Sequence, residues 1–171
     1  MTLDHNLFLT INGWAGHSAI LDKIGTFVGG DYFLYLFGLA VILLWFNKRL
    51  RKNVYLAIVS GILARGIIAE VLKRLVHRPR PFQVLKVHQL IVDNEAGNSF
   101  PSGHAVAYFV FAFAFLGTEY FWPFFVAACI GSLGRVFVGV HYPLDVIAGA
   151  IIGAAITWII QKSFKYFSKP N

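Results

Sequence analysis

Charge is what this sequence has least of. Asp, Glu, Lys and Arg make up 13% of its 171 residues, about half of the roughly 25% usual in a soluble domain. Acidic residues are the scarcer sign, 8 against 15 basic ones. There is no HExxH motif and no cluster of Asp and Glu of the kind that Mg²⁺ uses, so neither metal nor cofactor is expected. One cysteine, Cys129, excludes an intramolecular disulfide and says nothing about compartment. No repeat, low-complexity tract or soluble domain is visible. The N-terminus lacks a basic stretch followed by a cleavage site, so no removable signal peptide is expected. The net charge of +7 is scattered among hydrophobic segments rather than gathered on a soluble basic face. That points away from nucleic acid and toward anionic lipid and a phosphorylated ligand.

What the chain does have is apolar length. Hydrophobic residues account for 57%, with 17 Phe and 16 Gly, and mean hydropathy is +0.65. This is the composition of helices packed in lipid through small residues. An all-α membrane bundle of five to six spans fits the 171 residues at about 20 residues per span, as one integral membrane domain over 1–171. Residues 3–12 and 18–28 are short helical patterns separated by Asn12-Gly13 and closed by Gly29-Gly30. They read as interfacial helices or a lid over 1–30, with a single bent span as the alternative. The core over 31–163 holds spans near 32–46, 54–76, 103–116, 121–140 and 144–160, and residues 77–100 form a proline-stiffened loop. Gly149 and Gly153 make a GxxxG spacing in the last span, which permits close helix approach. The aromatics Tyr108, Phe109, Phe111, Phe113 and Phe115 read as lipid-facing or helix-packing bulk, with a chain-binding groove as the lesser alternative.

With five spans, the basic run at 47–52, the turn near Glu119 and the basic tail with Lys162, Lys165 and Lys169 fall on one side, which the positive-inside rule makes cytoplasmic. Three polar groups then share the opposite face. The first is Lys73-Arg74-Leu-Val-His77-Arg78-Pro79-Arg80-Pro81, whose plain reading is a positive flank against headgroups. The second is Pro101-Ser102-Gly103-His104 ahead of an apolar helix. Ser102 suits an N-cap, and the free N–H groups of a helix start bind anions. The third runs from Arg135 through His141 to Asp145. Pro143 suits a helix start, and a spacing of four brings Asp145 to His141, where a carboxylate orients an imidazole and stabilises its cation. The plain alternative is a buried His–Asp hydrogen bond with a snorkelling arginine. Two histidines, a helix N-terminus and several cations are the parts that phosphoryl transfer by a histidine nucleophile needs. Arg65 and Glu70 read as an interior polar pair or an orienting shell rather than as catalysts. His5, His17 and His88 read as surface residues, and Arg74, His77 and Arg78 as contacts to headgroups or neighbouring chain.

Lys73-x6-Arg80-Pro81, Pro101-Ser102-Gly103-His104 and Arg135-x5-His141-x3-Asp145, in this order and with these spacings, resemble the three-part signature of the type 2 phosphatidic acid phosphatase family of membrane lipid phosphatases. The resemblance implies that His141 attacks phosphorus and forms a phosphohistidine, with Asp145 orienting it. It implies that His104 protonates the leaving oxygen and later helps to activate water. Lys73, Arg80, Arg135, Ser102 and the backbone at Gly103 are implied to hold the phosphate oxygens, with no metal. The family pattern has Ser-Arg where this chain has Gly134-Arg135, a change that touches one phosphate hydrogen bond. The membrane implied is the bacterial cytoplasmic (inner) membrane, with the site on the extracytoplasmic side. The leading substrate is undecaprenyl diphosphate, and phosphatidylglycerol phosphate and the 1-phosphate of lipid A are alternatives. An anion or lipid transporter is the reading from a different class, and transfer of phosphate to an acceptor other than water also stays open. Oligomeric state is not legible.

Overall fold

The computed structural model describes residues 2–92 and 97–167; Lys169 of the basic tail lies outside them. Among the described residues the chain is all helical, with no strand. Thr2 caps α1 (Leu3–Asn12) and Ser18 caps α2 (Ala19–Gly29), each hydroxyl accepting a backbone N–H three residues on. Gly30 is extended and breaks the path between α2 and α3 (Asp31–Leu43), which meet at 50°. A 3₁₀ turn, Leu44–Phe46, ends that arm. The next rod runs continuously from α4 (Arg51–Gly61) through a π-helical stretch, Ile62–Ala69, into α5 (Glu70–Leu75). A short α6 (Pro81–Val84) sits in the following loop. The remaining helices are α7 (Gly103–Ala114), α8 (Phe121–Phe137) and α9 (Pro143–Phe167).

Two of these runs, Arg51–Leu75 and Pro143–Phe164, are long and apolar enough to cross a membrane, and α2 with α3 adds a third if the bent pair is one span. α7 and α8 are apolar but shorter. The burial pattern is that of a membrane protein. Trp122, Leu133, Ile62 and Ile151 are largely exposed, while Arg80, Arg135, His141 and Asp145 are buried.

α7 is the axis. Its residues from Gly103 to Val110 are all buried, packed by α9, α8, α3 and the α4–α5 rod. The aromatics on it are therefore mostly packing rather than lipid-facing. Tyr108 and Phe115 have no exposed surface, Tyr108 stacks on Phe37 at 5.9 Å, and Phe111 is half-buried. The GxxxG pair sets the α7–α9 distance. A Cβ on Gly149 would stand 2.6 Å from the Ser102 carbonyl oxygen, and one on Gly153 would stand 2.4 Å from that of Val106. Both obstacles are backbone and cannot swing aside.

Two local expectations are corrected. Glu70 pairs with Lys73 at 3.6 Å rather than with Arg65, which lies against Gly103; the π-helical winding changes which side chains share a face. Asn12 does more than break a helix. Its amide donates to the carbonyls of His88 and Phe137, both at 2.8 Å, and accepts from the His88 N–H at 2.9 Å, stitching α1 to the loop and to α8.

Gly153→Ala is expected to lower the thermal unfolding midpoint of the detergent-purified protein, at a cost of about 1–3 kcal/mol. Substitution at Gly61, where a Cβ meets nothing within 4 Å, is the control that leaves the midpoint unmoved.

Candidate active site

His141 lies in the turn between α8 and α9, 1% exposed. Pro143 starts α9 there, and the carboxylate one turn in, Asp145, is fully buried. Asp145 Oδ2 accepts the Tyr142 N–H at 2.8 Å and stands 3.6 Å from His141 Nδ1. That is beyond hydrogen-bond length but close enough for charge to act. Asp145 Oδ1 accepts Arg78 Nη1 at 2.6 Å. Arg78 also pairs with Asp4 of α1 and lies 4.1 Å over the Tyr142 ring. Asp4 in turn accepts the Leu144 N–H at 2.9 Å. Arg78 is thus no headgroup contact; it is the bridge that fastens α1 over the start of α9. The His5 ring lies 5.0 Å from that of Tyr142.

The second group enters from α7. The Ser102 N–H donates to the Asp145 carbonyl at 3.0 Å, which locks the start of α7 to the start of α9. Ser102 Oγ is buried without a hydrogen-bond partner, so the expected side-chain cap does not form and the hydroxyl is left for another acceptor. The Arg65 guanidinium lies beside Gly103, with Nε 3.6 Å from where a Cβ would be. His104, 5% exposed, donates from Nε2 to Asp31 Oδ1 of α3 at 2.8 Å. No spacing rule ties residue 31 to residue 104, so sequence reasoning missed Asp31, as it missed Asp4.

Cations complete the arrangement. Arg135 is buried near the end of α8 and donates from Nη1 to the Gly29 carbonyl at 2.7 Å. Arg80 is buried in the loop, and its Nε donates to the Gly97 carbonyl at 3.3 Å. Asn98 donates to the Lys73 carbonyl at 2.7 Å, pinning the end of α5. Arg135, Arg65 and Lys73 act electrostatically on His104, and Arg135 and Arg80 on His141. All eight residues singled out from the sequence therefore come to one end of the bundle. Gly134 fits its place sterically, since a Cβ there would stand 2.7 Å from the Gly29 backbone nitrogen. Among the described residues no three His, Cys, Asp or Glu side chains form a group able to hold a metal ion.

Burial, and then the positive charge of Arg135 and Arg80, push His141 down to about 4 against the opposing pull of Asp145. The imidazole is neutral at neutral pH, and with Nδ1 turned to Asp145 the lone pair left on the outer side of the ring is on Nε2. Nearby, a groove of about 550 Å³ opens between α3, the π-helical stretch and α7, lined by Leu34, Gly38, Ile42, Ala107 and Phe111 with Arg65 as its one charge. Leu34 lies about one turn along α3 from Asp31, and Ala107 about one turn along α7 from His104. The groove thus leads away from the paired side chains into the apolar body.

A family model described as the PAP2 superfamily matches residues 54–169. An undecaprenyl-diphosphatase, BcrC, of Bacillus subtilis (strain 168) is 30% identical over 92% of this chain and 82% of its own length. An undecaprenyl-diphosphatase of Sulfolobus acidocaldarius is 31% identical over 92% of this chain and 72% of its own. The crystal structure of Aquifex aeolicus LpxE superposes with a TM-score of 0.79 at 28% identity, covering 95% of this chain and 96% of that one.

A buried histidine held below its ordinary value carries a signature in stability. The unfolded chain takes up the proton near pH 6.5 and the folded chain only near 4, so the unfolded state binds more protons between the two. The contribution is fully present above about pH 6.5 and is lost as pH falls toward about 4. Thermal unfolding between pH 4 and 7 is expected to show this slope, reduced in His141→Gln.

Proposed function

The chain belongs to the PAP2 superfamily, and from that premise we propose that it removes the terminal phosphate of undecaprenyl diphosphate through a phosphohistidine on His141. The observation that carries the reading is the neutral, buried His141 facing a ring of cations and the open start of α7. His141 Nε2 attacks phosphorus. As the P–N bond forms, the bond to the leaving oxygen breaks, its electron pair stays with that oxygen, and His104 delivers a proton to it. Asp145 steadies the positive charge that appears on His141. Arg80, Arg135, Lys73, Ser102 Oγ and the Gly103 N–H hold the equatorial oxygens, whose charge must be met in the transition state. Water, activated by the now neutral His104, then attacks the phosphohistidine and frees inorganic phosphate.

The protein is an integral membrane lipid phosphatase. Its finer placement is part of the proposal: one domain over 1–171, with 31–163 as the catalytic core of five to six spans in the bacterial cytoplasmic membrane. The site lies on the extracytoplasmic side, opposite the basic run at 47–52. The substrate preference is supported by relatives named for undecaprenyl diphosphate that align along most of this chain. The groove beside Gly38 takes the lipid chain laterally from the bilayer.

Phosphate release in detergent with EDTA present, from undecaprenyl diphosphate, phosphatidylglycerol phosphate, phosphatidic acid and lipid A, tests both parts. Wild type is expected to act best on undecaprenyl diphosphate, and His141→Ala to lose at least about 10³-fold. Release that survives the mutation would overturn the nucleophile, and a stronger response to another lipid would rename the substrate. Gly38→Trp, which fills the groove near Phe111, is expected to raise KM for the long-chain lipid and leave a short-chain phosphate unaffected.

A further inference from the structure

The two histidines of the site are each set beside a carboxylate, by different means. Asp145 reaches His141 by helical spacing within one element. Asp31 reaches His104 from α3, across 73 residues of chain, by a 2.8 Å hydrogen bond. We propose that Asp31 is a positioning residue that holds His104 as the acid of the reaction. The proposal rests on the lipid phosphatase reading above.

The geometry chooses the tautomer. With Nε2–H donated to Asp31 Oδ1, Nδ1 is the ring nitrogen left for the substrate, and a partner on one nitrogen fixes the role of the other. When His104 carries both protons, Nδ1–H goes to the leaving oxygen as its bond to phosphorus breaks. The electron pair of the Nδ1–H bond stays on the ring. What remains is the neutral Nε2–H tautomer, still held by Asp31, with an Nδ1 lone pair ready to take a proton from the attacking water. His104 is faced by Arg135 from α8, Arg65 from the π-helical stretch, Lys73 from α5 and His141 from the turn before α9. Among the described residues, Asp31 is the carboxylate in hydrogen-bond contact with it. A ring of cations suits a phosphate, and the Asp31 carboxylate is what holds the imidazole N–H in place among them.

The bend between α2 and α3 explains why the residue is available. Gly30 is extended, so α3 starts afresh at Asp31, and a carboxylate in a first turn is favoured by the free N–H groups there. The same bend turns the Gly29 carbonyl to Arg135 Nη1 at 2.7 Å. One break in the helix thus delivers two contacts to the site. Asp31 itself is 62% exposed, so its replacement leaves no buried hole.

The test compares Asp31→Asn, Asp31→Ala and Asp31→Glu with wild type on two substrates that differ in leaving group. Decyl phosphate expels a poor leaving group that needs a proton, whereas p-nitrophenyl phosphate expels one that does not. Asn and Ala are expected to cut kcat on decyl phosphate by about 10- to 100-fold, part of what a general acid contributes, and on p-nitrophenyl phosphate by less than about 3-fold. Glu is expected to restore part of the loss. Proton NMR of the wild type should show a downfield imidazole N–H, assigned by its disappearance in His104→Ala and lost in Asp31→Asn. Equal losses on the two substrates, or an imidazole resonance unchanged by Asp31→Asn, would overturn the proposal. Wild-type protein that releases no phosphate from either substrate counts against the phosphatase reading, and the resonance still decides Asp31.

Discussion

A carboxylate with no exposed surface must find all its partners inside the protein, because leaving a buried charge unpaired costs about 3–5 kcal/mol. Asp145 is in that position, and its solution organises the polar end of the bundle. One carboxylate oxygen takes Arg78, the other takes the Tyr142 N–H and faces His141, and the main-chain carbonyl takes the Ser102 N–H. Through these bonds α9, the loop after α5 and the start of α7 are tied together. Arg78 and Asp4 bring in α1. His141 is thus set by a network in which each polar group answers another, as expected where the dielectric is low.

The second constraint is backbone proximity. α9 comes near enough to α7 that Gly149 and Gly153 face carbonyl oxygens directly, and this contact sets the distance between the helix bearing His104 and the one bearing Asp145. α2 meets α8 in the same manner through Gly29 and Gly134. A serine at 134, as the family pattern has it, would press its Cβ into the Gly29 backbone. In this chain the hydroxyl gives way to a closer helix, and the Gly29 carbonyl becomes a partner of the neighbouring Arg135.

The two histidines of the site meet the same cations with different neighbours. His141 is fully enclosed, and Asp145, held by other donors, stays 3.6 Å away. It offers charge without closing on Nδ1. His104 has a carboxylate in direct hydrogen-bond contact. The two imidazoles are chemically identical, and what differs is which carboxylate reaches each and how closely.

Much of this was legible from the chain. Charge scarcity and apolar run length determined an all-helical membrane protein, since a chain in lipid must satisfy its backbone within itself. The spacing of Lys73, Arg80, Ser102, His104, Arg135, His141 and Asp145 marked the candidate site, because residue types at short fixed intervals keep their local relation whatever packs around them. Only the tertiary structure decided the rest. Arg78, read as a contact to headgroups or neighbouring chain, took the second course and turned inward to Asp4 and Asp145. Arg65 left Glu70 for the edge of Gly103, because a π-helical stretch turns side chains by an amount that apolar periodicity does not encode. Asp31 met His104 across most of the chain. Local rules reach about one helical turn. A contact between residues 31 and 104 exists only once a bend at Gly30 and the burial of α7 have brought two helices side by side.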